Sequence, residues 1–143
     1  MAVASIRVLV VEGFEAWRRS VCSMLKRHAD VRIVGEAADG IAAVQEASKL
    51  KPDLILMAIG LPNLNGIEAA KRICQAVPGT KIIFLTLNSE ANVVEAALSN
   101  GAKGYVLKTD AGGELWPAIK AVLQGKKYLS SGVVGGCTQE TAS

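Results

Sequence analysis

Five short apolar runs, at residues 6–11, 31–34, 54–57, 81–86 and 104–107, recur along the chain, each followed by a longer stretch with apolar residues three and four apart. The runs are too short for helices and rich in β-branched residues, which is how strands covered on both faces read. The longer stretches, 14–28, 40–50, 64–76, 90–100 and 113–124, each carry one apolar stripe. Phe14, Val21, Met24 and Leu25 form the first stripe, and Ile41, Val44, Ala47 and Leu50 the second. Leu64, Ile67, Ala70, Ile73 and Cys74 form the third; Val93, Val94, Ala97 and Leu98 the fourth; Leu115, Ile119, Val122 and Leu123 the fifth. Such spacing buries one side of a helix. Five strands alternating with five helices specify an α/β fold with a parallel sheet and right-handed crossovers.

Turn residues fall between these segments: Gly35, Asp39-Gly40, Lys51-Pro52-Asp53, Leu61-Pro62-Asn63, Pro78-Gly79 and Asn100-Gly101. Pro117 is expected in the first turn of the last helix, the one turn that tolerates proline well. Half of the 143 residues are hydrophobic and only 4% are aromatic, so Val, Ile, Leu and Ala must fill the core. That length suits one domain, taken as residues 1–130, with 131–143 as a flexible tail or truncated linker.

The net charge of +3 comes from scattered pairs, Arg18-Arg19, Lys26-Arg27, Lys71-Arg72 and Lys126-Lys127. A nucleic-acid surface concentrates its basic residues in a stripe, so no such contact is expected of this chain. Cys22, Cys74 and Cys137 show no metal-ligand spacing, and His28 has no partner motif. Cys22 and Cys74 read as core packing, and His28 as the end of the first helix, where a cation suits the helix dipole. This usage fits a reducing, cytoplasmic setting. The opening MAVASIR lacks the features of a secretory signal, and no apolar run approaches the ~20 residues of a membrane span.

In open α/β sheets, ligands bind beyond the carboxyl ends of the strands. Those ends collect Glu12-Gly13, Ala58 and Gly60, Thr86, and Lys108. One acid, one hydroxyl and one lysine on three strand ends point toward an oxyanion or phosphate site, although any such fold ends its strands with some polar residues.

The segments IRVLVVEG, VGEAADGIAAVQEA, KPDLILMAIGLPNLNGIEAAKRI, KIIFLTLNSE, ALSNGAKGYVLKTDAGGEL and AIKAVLQGKKYLSSG carry a specific resemblance. Over residues 5–129 the chain resembles the receiver domains of bacterial response regulators, nearest the NarL/FixJ (LuxR-type) subfamily, whose members usually continue into a helix-turn-helix. The resemblance implies a three-layer, flavodoxin-like, doubly wound sheet of five parallel strands in the order 2-1-3-4-5. It also implies a phosphorelay, in which a histidine kinase phosphorylates an aspartate that ends strand three. In ILMAIGLP that place is Ala58. The paired acids that hold the family's magnesium ion fall on Glu12 and Gly13, with a further ligand from the Gly60 carbonyl. Thr86 and Lys108 match the phosphoryl-contacting hydroxyl and lysine, and Tyr105 matches the switch aromatic.

Two departures stand out. Alanine has no nucleophile, so no acyl phosphate forms at residue 58. Magnesium wants several hard oxygen ligands, and the usual three carboxylates are reduced to Glu12, so no cofactor is expected and magnesium binding should be weak or absent. Leu87, bulky for its place, borders the pocket mouth. Loss of the acid at Gly13 as well as at Ala58 favours a naturally degenerate site over one engineered substitution. Lys108 then has Glu12 as its nearest remaining acidic partner, so a direct Glu12–Lys108 contact is expected, because partly buried charges seldom stay unpaired.

The leading functional reading is a non-enzymatic receiver working through protein contacts with a histidine kinase or an output protein. It would dimerise through helix one/helix five or through helix four/strand five/helix five, with Trp17 and Trp116 as either surface anchors or edge-of-core packing. A second reading is the N-terminal part of a DNA-binding regulator. A third is a flavodoxin-like small-molecule binder, which the sequence Glu12-Gly13-Phe14-Glu15 disfavours by placing acids where a phosphate would sit.

Overall fold

The computed structural model describes residues 5–133. In chain order the elements are β1 (Ile6–Val11), α1 (Glu15–Lys26), β2 (Val31–Ala37), α2 (Gly40–Leu50), β3 (Leu54–Met57), α3 (Gly66–Ala76), β4 (Lys81–Thr86), α4 (Ala91–Ser99) and β5 (Gly104–Leu107). A 3-10 turn at Lys108–Asp110 leads into α5 (Ala111–Leu123), and β6 (Tyr128–Leu129) follows. The strands form one parallel sheet in the order β2-β1-β3-β4-β5-β6.

Alternation along the strands sorts the core into two layers. Leu9, Val11, Ile55, Met57, Ile82, Phe84 and Tyr105 face one side, against Ala43 and Ala47 of α2, Ala69, Ala70 and Ile73 of α3, and Val94 and Ala97 of α4. Val8, Val10, Leu54, Leu56, Ile83, Leu85 and Val106 face the other, against Val21, Cys22 and Leu25 of α1 and Leu115, Ala118, Ile119 and Val122 of α5. The result is the expected doubly wound, three-layer, flavodoxin-like architecture. Alanines on α2 and α3 let those helices lie close. At Gly40 an added Cβ would stand 1.9 Å from the Leu64 carbonyl oxygen.

The structure corrects several local expectations. The sheet has a sixth strand, because the chain returns after α5 and pairs Tyr128 and Leu129 with β5. Phe14 and Ile41 lie outside the core, at 71% and 45% exposure, since α1 begins only at Glu15 and α2 turns Ala43 and Ala47 inward. Gly35 is not a turn. It lies within β2 opposite Leu9, where the register shifts, and its missing side chain admits Leu50, whose Cδ1 would lie 2.7 Å from a Cβ there. The helix α1 ends at Lys26 with Arg27 as its cap, and His28 follows it, stacking on Trp116 with ring centroids 4.0 Å apart. Because the 3-10 turn starts α5 at Ala111, Pro117 falls inside the helix rather than in its first turn, and leaves the Gly113 carbonyl without its helical donor. Val133 is fully buried, while Ser131 and Gly132 before it are exposed. Residues 134–143, including Cys137, lie outside the described residues. Burial pushes the thiols of Cys22 and Cys74 up, which keeps both protonated and suits their packing role.

Helix ends are held by specific side chains. Asp39 accepts from the Ala42 N–H at 2.8 Å, and Asn65 from the Glu68 N–H at 2.9 Å. At the end of α2, Lys51 adopts a left-handed conformation (φ 47°), while Arg7 donates to the carbonyls of Lys51 and Leu50 at 2.9 and 2.8 Å. A side chain pays for that backbone conformation and glycine does not. Lys51→Gly is therefore expected to raise the unfolding free energy by about 0.5–1 kcal/mol, measured by urea denaturation.

Candidate functional site

The sheet's carboxyl edge gathers the residues singled out from the sequence. Val11 pairs with Met57, Met57 with Phe84, and Thr86 with Leu107, so Glu12, Ala58, Thr86 and Lys108 follow or end four neighbouring strands.

Glu12 and Lys108 meet directly. The Lys108 Nζ lies 2.6 Å from the Glu12 Oε1, and the two side chains are 7% and 6% exposed. The other Glu12 oxygen accepts from the Phe14 N–H at 3.0 Å, and its main-chain carbonyl accepts from Arg18 at 2.8 Å. The ammonium also stands 4.7 Å from the centroid of the Trp17 ring, a cation–π contact. The lysine is thus held by a carboxylate and an aromatic face, away from water.

Ala58 is buried beside Glu12, and the two line a small void with Val10, Val21, Leu56 and Leu85. Its N–H donates to the Val11 carbonyl at 3.0 Å. Gly66, at the start of α3, presses against this position: a Cβ there would stand 2.2 Å from the Ala58 carbonyl oxygen. Gly13 and Gly60 are exposed, and Leu87 at the rim is 65% exposed rather than folded over the site.

The Thr86 hydroxyl accepts from the Asn88 N–H at 3.3 Å. Tyr105 is fully buried, and its hydroxyl donates to the Asn88 carbonyl at 2.5 Å. Burial first, and the Glu90 carboxylate second, push its phenol up to about 12 from 10.0. The fold therefore favours the neutral phenol, and that stability is complete below pH 10 and lost as pH rises toward 12. The loss should approach about 2–3 kcal/mol in alkaline denaturation, and Tyr105→Phe should remove that part of the pH dependence.

The pairing of Glu12 with Lys108 was legible as charge balance. The sequence left Trp17 open between surface anchor and edge-of-core packing; the structure makes it half-buried packing around Lys108, while Trp116 is half-buried against His28. Asn88 carried no signal, because it contributes a backbone carbonyl. Among the described residues, no three His, Cys, Asp or Glu side chains stand together as a metal cluster. No helix among them is long and apolar enough to cross a membrane.

Comparison with known proteins fits this arrangement. The Response regulator receiver domain family matches residues 8–120, and the chain belongs to that family. It is 38% identical over 130 residues to the transcriptional regulatory protein LiaR of Bacillus subtilis, covering 91% of this chain and 62% of that protein. It is 33% identical over 129 residues to the response regulator protein VraR of Staphylococcus saprophyticus, covering 90% and 62%. The chain thus spans less than two thirds of the length of these relatives. A LuxR-family two-component response regulator from Aurantimonas sp. SI85-9A1 superposes with a TM-score of 0.93 at 28% identity, over 98% of this chain and 100% of that one. Receiver domains serve signalling in two-component systems.

Proposed function

We propose that this chain is a receiver domain that signals through protein contacts without accepting a phosphoryl group at its usual site. One observation carries the reading: Glu12 and Lys108 form a buried ion pair at the strand ends, next to the buried methyl side chain of Ala58. Thr86, Lys108 and Tyr105 keep the places of the family's phosphate contacts and switch aromatic. The donor set does not fit magnesium: Glu12 is engaged by an ammonium, Gly13 and Ala58 supply no carboxylate, and the Gly60 carbonyl alone is insufficient. Loss at both positions favours a naturally degenerate site. The chain is no enzyme on this reading, and it acts in the cytoplasm on a histidine kinase or an output protein.

Self-association through α1 and α5 is favoured over the α4/β5/α5 face. An open groove lined by Met24, Leu25, His28, Leu115, Trp116 and Ile119 separates α1 from α5, whereas β6 covers the outer edge of β5. A second reading, the receiver part of a transcriptional regulator, draws on the relatives' names and on the share of their length this chain spans.

The test is treatment with a small phosphoryl donor followed by intact mass measurement. No acyl-phosphate adduct is expected on the chain, and only weak labelling of Ala58→Asp. Adding Gly13→Asp should make labelling robust, since a Cβ at Gly13 meets its nearest neighbours at 3.4 Å, ordinary contact. An adduct on the chain itself defeats the proposal. Robust labelling of Ala58→Asp alone would make the alanine the sole lesion and favour an engineered change.

A further inference from the structure

After α5 the chain reverses at Gly125 (φ 87°) and lays Tyr128–Leu129 alongside β5, Gly104 opposite Tyr128 and Tyr105 opposite Leu129. A two-residue strand holds itself poorly, so side chains must supply the docking. Ser130, fully buried, donates its N–H to the Tyr105 carbonyl at 3.0 Å and accepts the Leu107 N–H on its hydroxyl at 3.0 Å. That hydroxyl donates in turn to Asp110 at 2.7 Å. Asp110 stands at the N-cap of α5 yet makes no capping bond; its carboxylate also accepts from the Gly132 N–H at 3.0 Å. Glu114, one turn on, accepts from the Ser131 N–H at 3.0 Å and from the Tyr128 hydroxyl at 2.9 Å.

Gly132 brings the segment close to β5 and α5. A Cβ would stand 2.7 Å from Leu107 Cδ1 and 2.9 Å from the Asp110 carboxylate. Beyond it, Val133 is fully buried in the apolar cluster that holds Tyr105, Phe84 and Leu107. The segment therefore grips the backbone on both sides of Val106 and closes the cluster around the Tyr105 ring.

We infer that residues 126–133 form a latch that keeps Tyr105 inward, so that docking of this segment sets the state of β5. The latch works without chemistry at position 58. It joins the residue before Lys108 to residues 130–133, so whatever displaces that segment opens the Tyr105 cluster. The inference uses residues apart from Glu12 and Ala58, and it survives if phosphorylation is found.

Nitration by tetranitromethane with peptide mass mapping tests it, because the chain has only two tyrosines. In the unmodified chain, half-buried Tyr128 should react and Tyr105 should not. In Asp110→Ala/Ser130→Ala, nitration of Tyr105 should rise at least tenfold while hydrogen exchange of the Leu9 and Ile55 amides stays unchanged. Faster exchange at Ser130 and Gly132 with Tyr105 still protected would overturn the latch. Should the variant fail to fold, the unmodified chain in low urea decides. Tyr105 nitration and Ser130 amide exchange should then rise together below the global transition; reactivity of Tyr105 only at global unfolding would overturn the inference.

Discussion

Lys108→Met is expected to lower the unfolding free energy by about 3–5 kcal/mol, the cost of leaving a buried charge without its partner. For a domain of ordinary stability, about 5–15 kcal/mol, that is a large share of the total. The Glu12 carboxylate is enclosed and keeps only the Phe14 N–H once the ammonium is gone. The double variant Glu12→Gln/Lys108→Met should recover most of the loss, because a glutamine oxygen still accepts from that N–H and no net charge remains buried. Urea denaturation of the unmodified chain and the two variants near neutral pH gives the comparison. A single-variant cost below about 1 kcal/mol would mean that the pair behaves as an exposed one.

Gly66→Ala should be comparably damaging, at about 3 kcal/mol or more, by a different route. The new methyl group would lie 2.2 Å from the Ala58 carbonyl oxygen and 2.9 Å from the Ile59 Cα. Both obstacles are backbone, so no rotamer change relieves them, and the link between β3 and α3 must move as a unit. That shift would also strain the Gly66 N–H bond to the Ile59 carbonyl, 2.7 Å long. Gly60→Ala, six residues earlier in a position with nothing within 4 Å of an added Cβ, is the control and should change stability by no more than about 0.5 kcal/mol. Equal effects at the two glycines would show that steric contact is not the cause.

The layered fold could be read from the sequence because the central strands are covered on both faces, and so β3 is wholly apolar and β1 and β4 are nearly so. Tyr128–Leu129 gave no comparable signal: two residues carry no period, and their pairing depends on Ser130, Asp110 and Glu114. Gly35 was misleading for a related reason. Glycine commonly marks a turn, but here it marks the close approach of Leu50, which only tertiary packing reveals. At the strand ends, charge balance was enough to bring Glu12 and Lys108 together. Trp17 could not be assigned from spacing, since its ring reaches the ammonium only through the way α1 lies against the sheet.

Pro117 gains meaning from its position. The first half of α5 contains two glycines and ends at a residue without a backbone donor, so it has little helical propensity of its own. Yet Asp110, at the N-cap, and Glu114, inside that same half, hold residues 128–132 in place. Fraying of this turn and undocking of residues 128–132 are therefore expected as one event, because the carboxylates that dock the segment ride on a weakly helical turn.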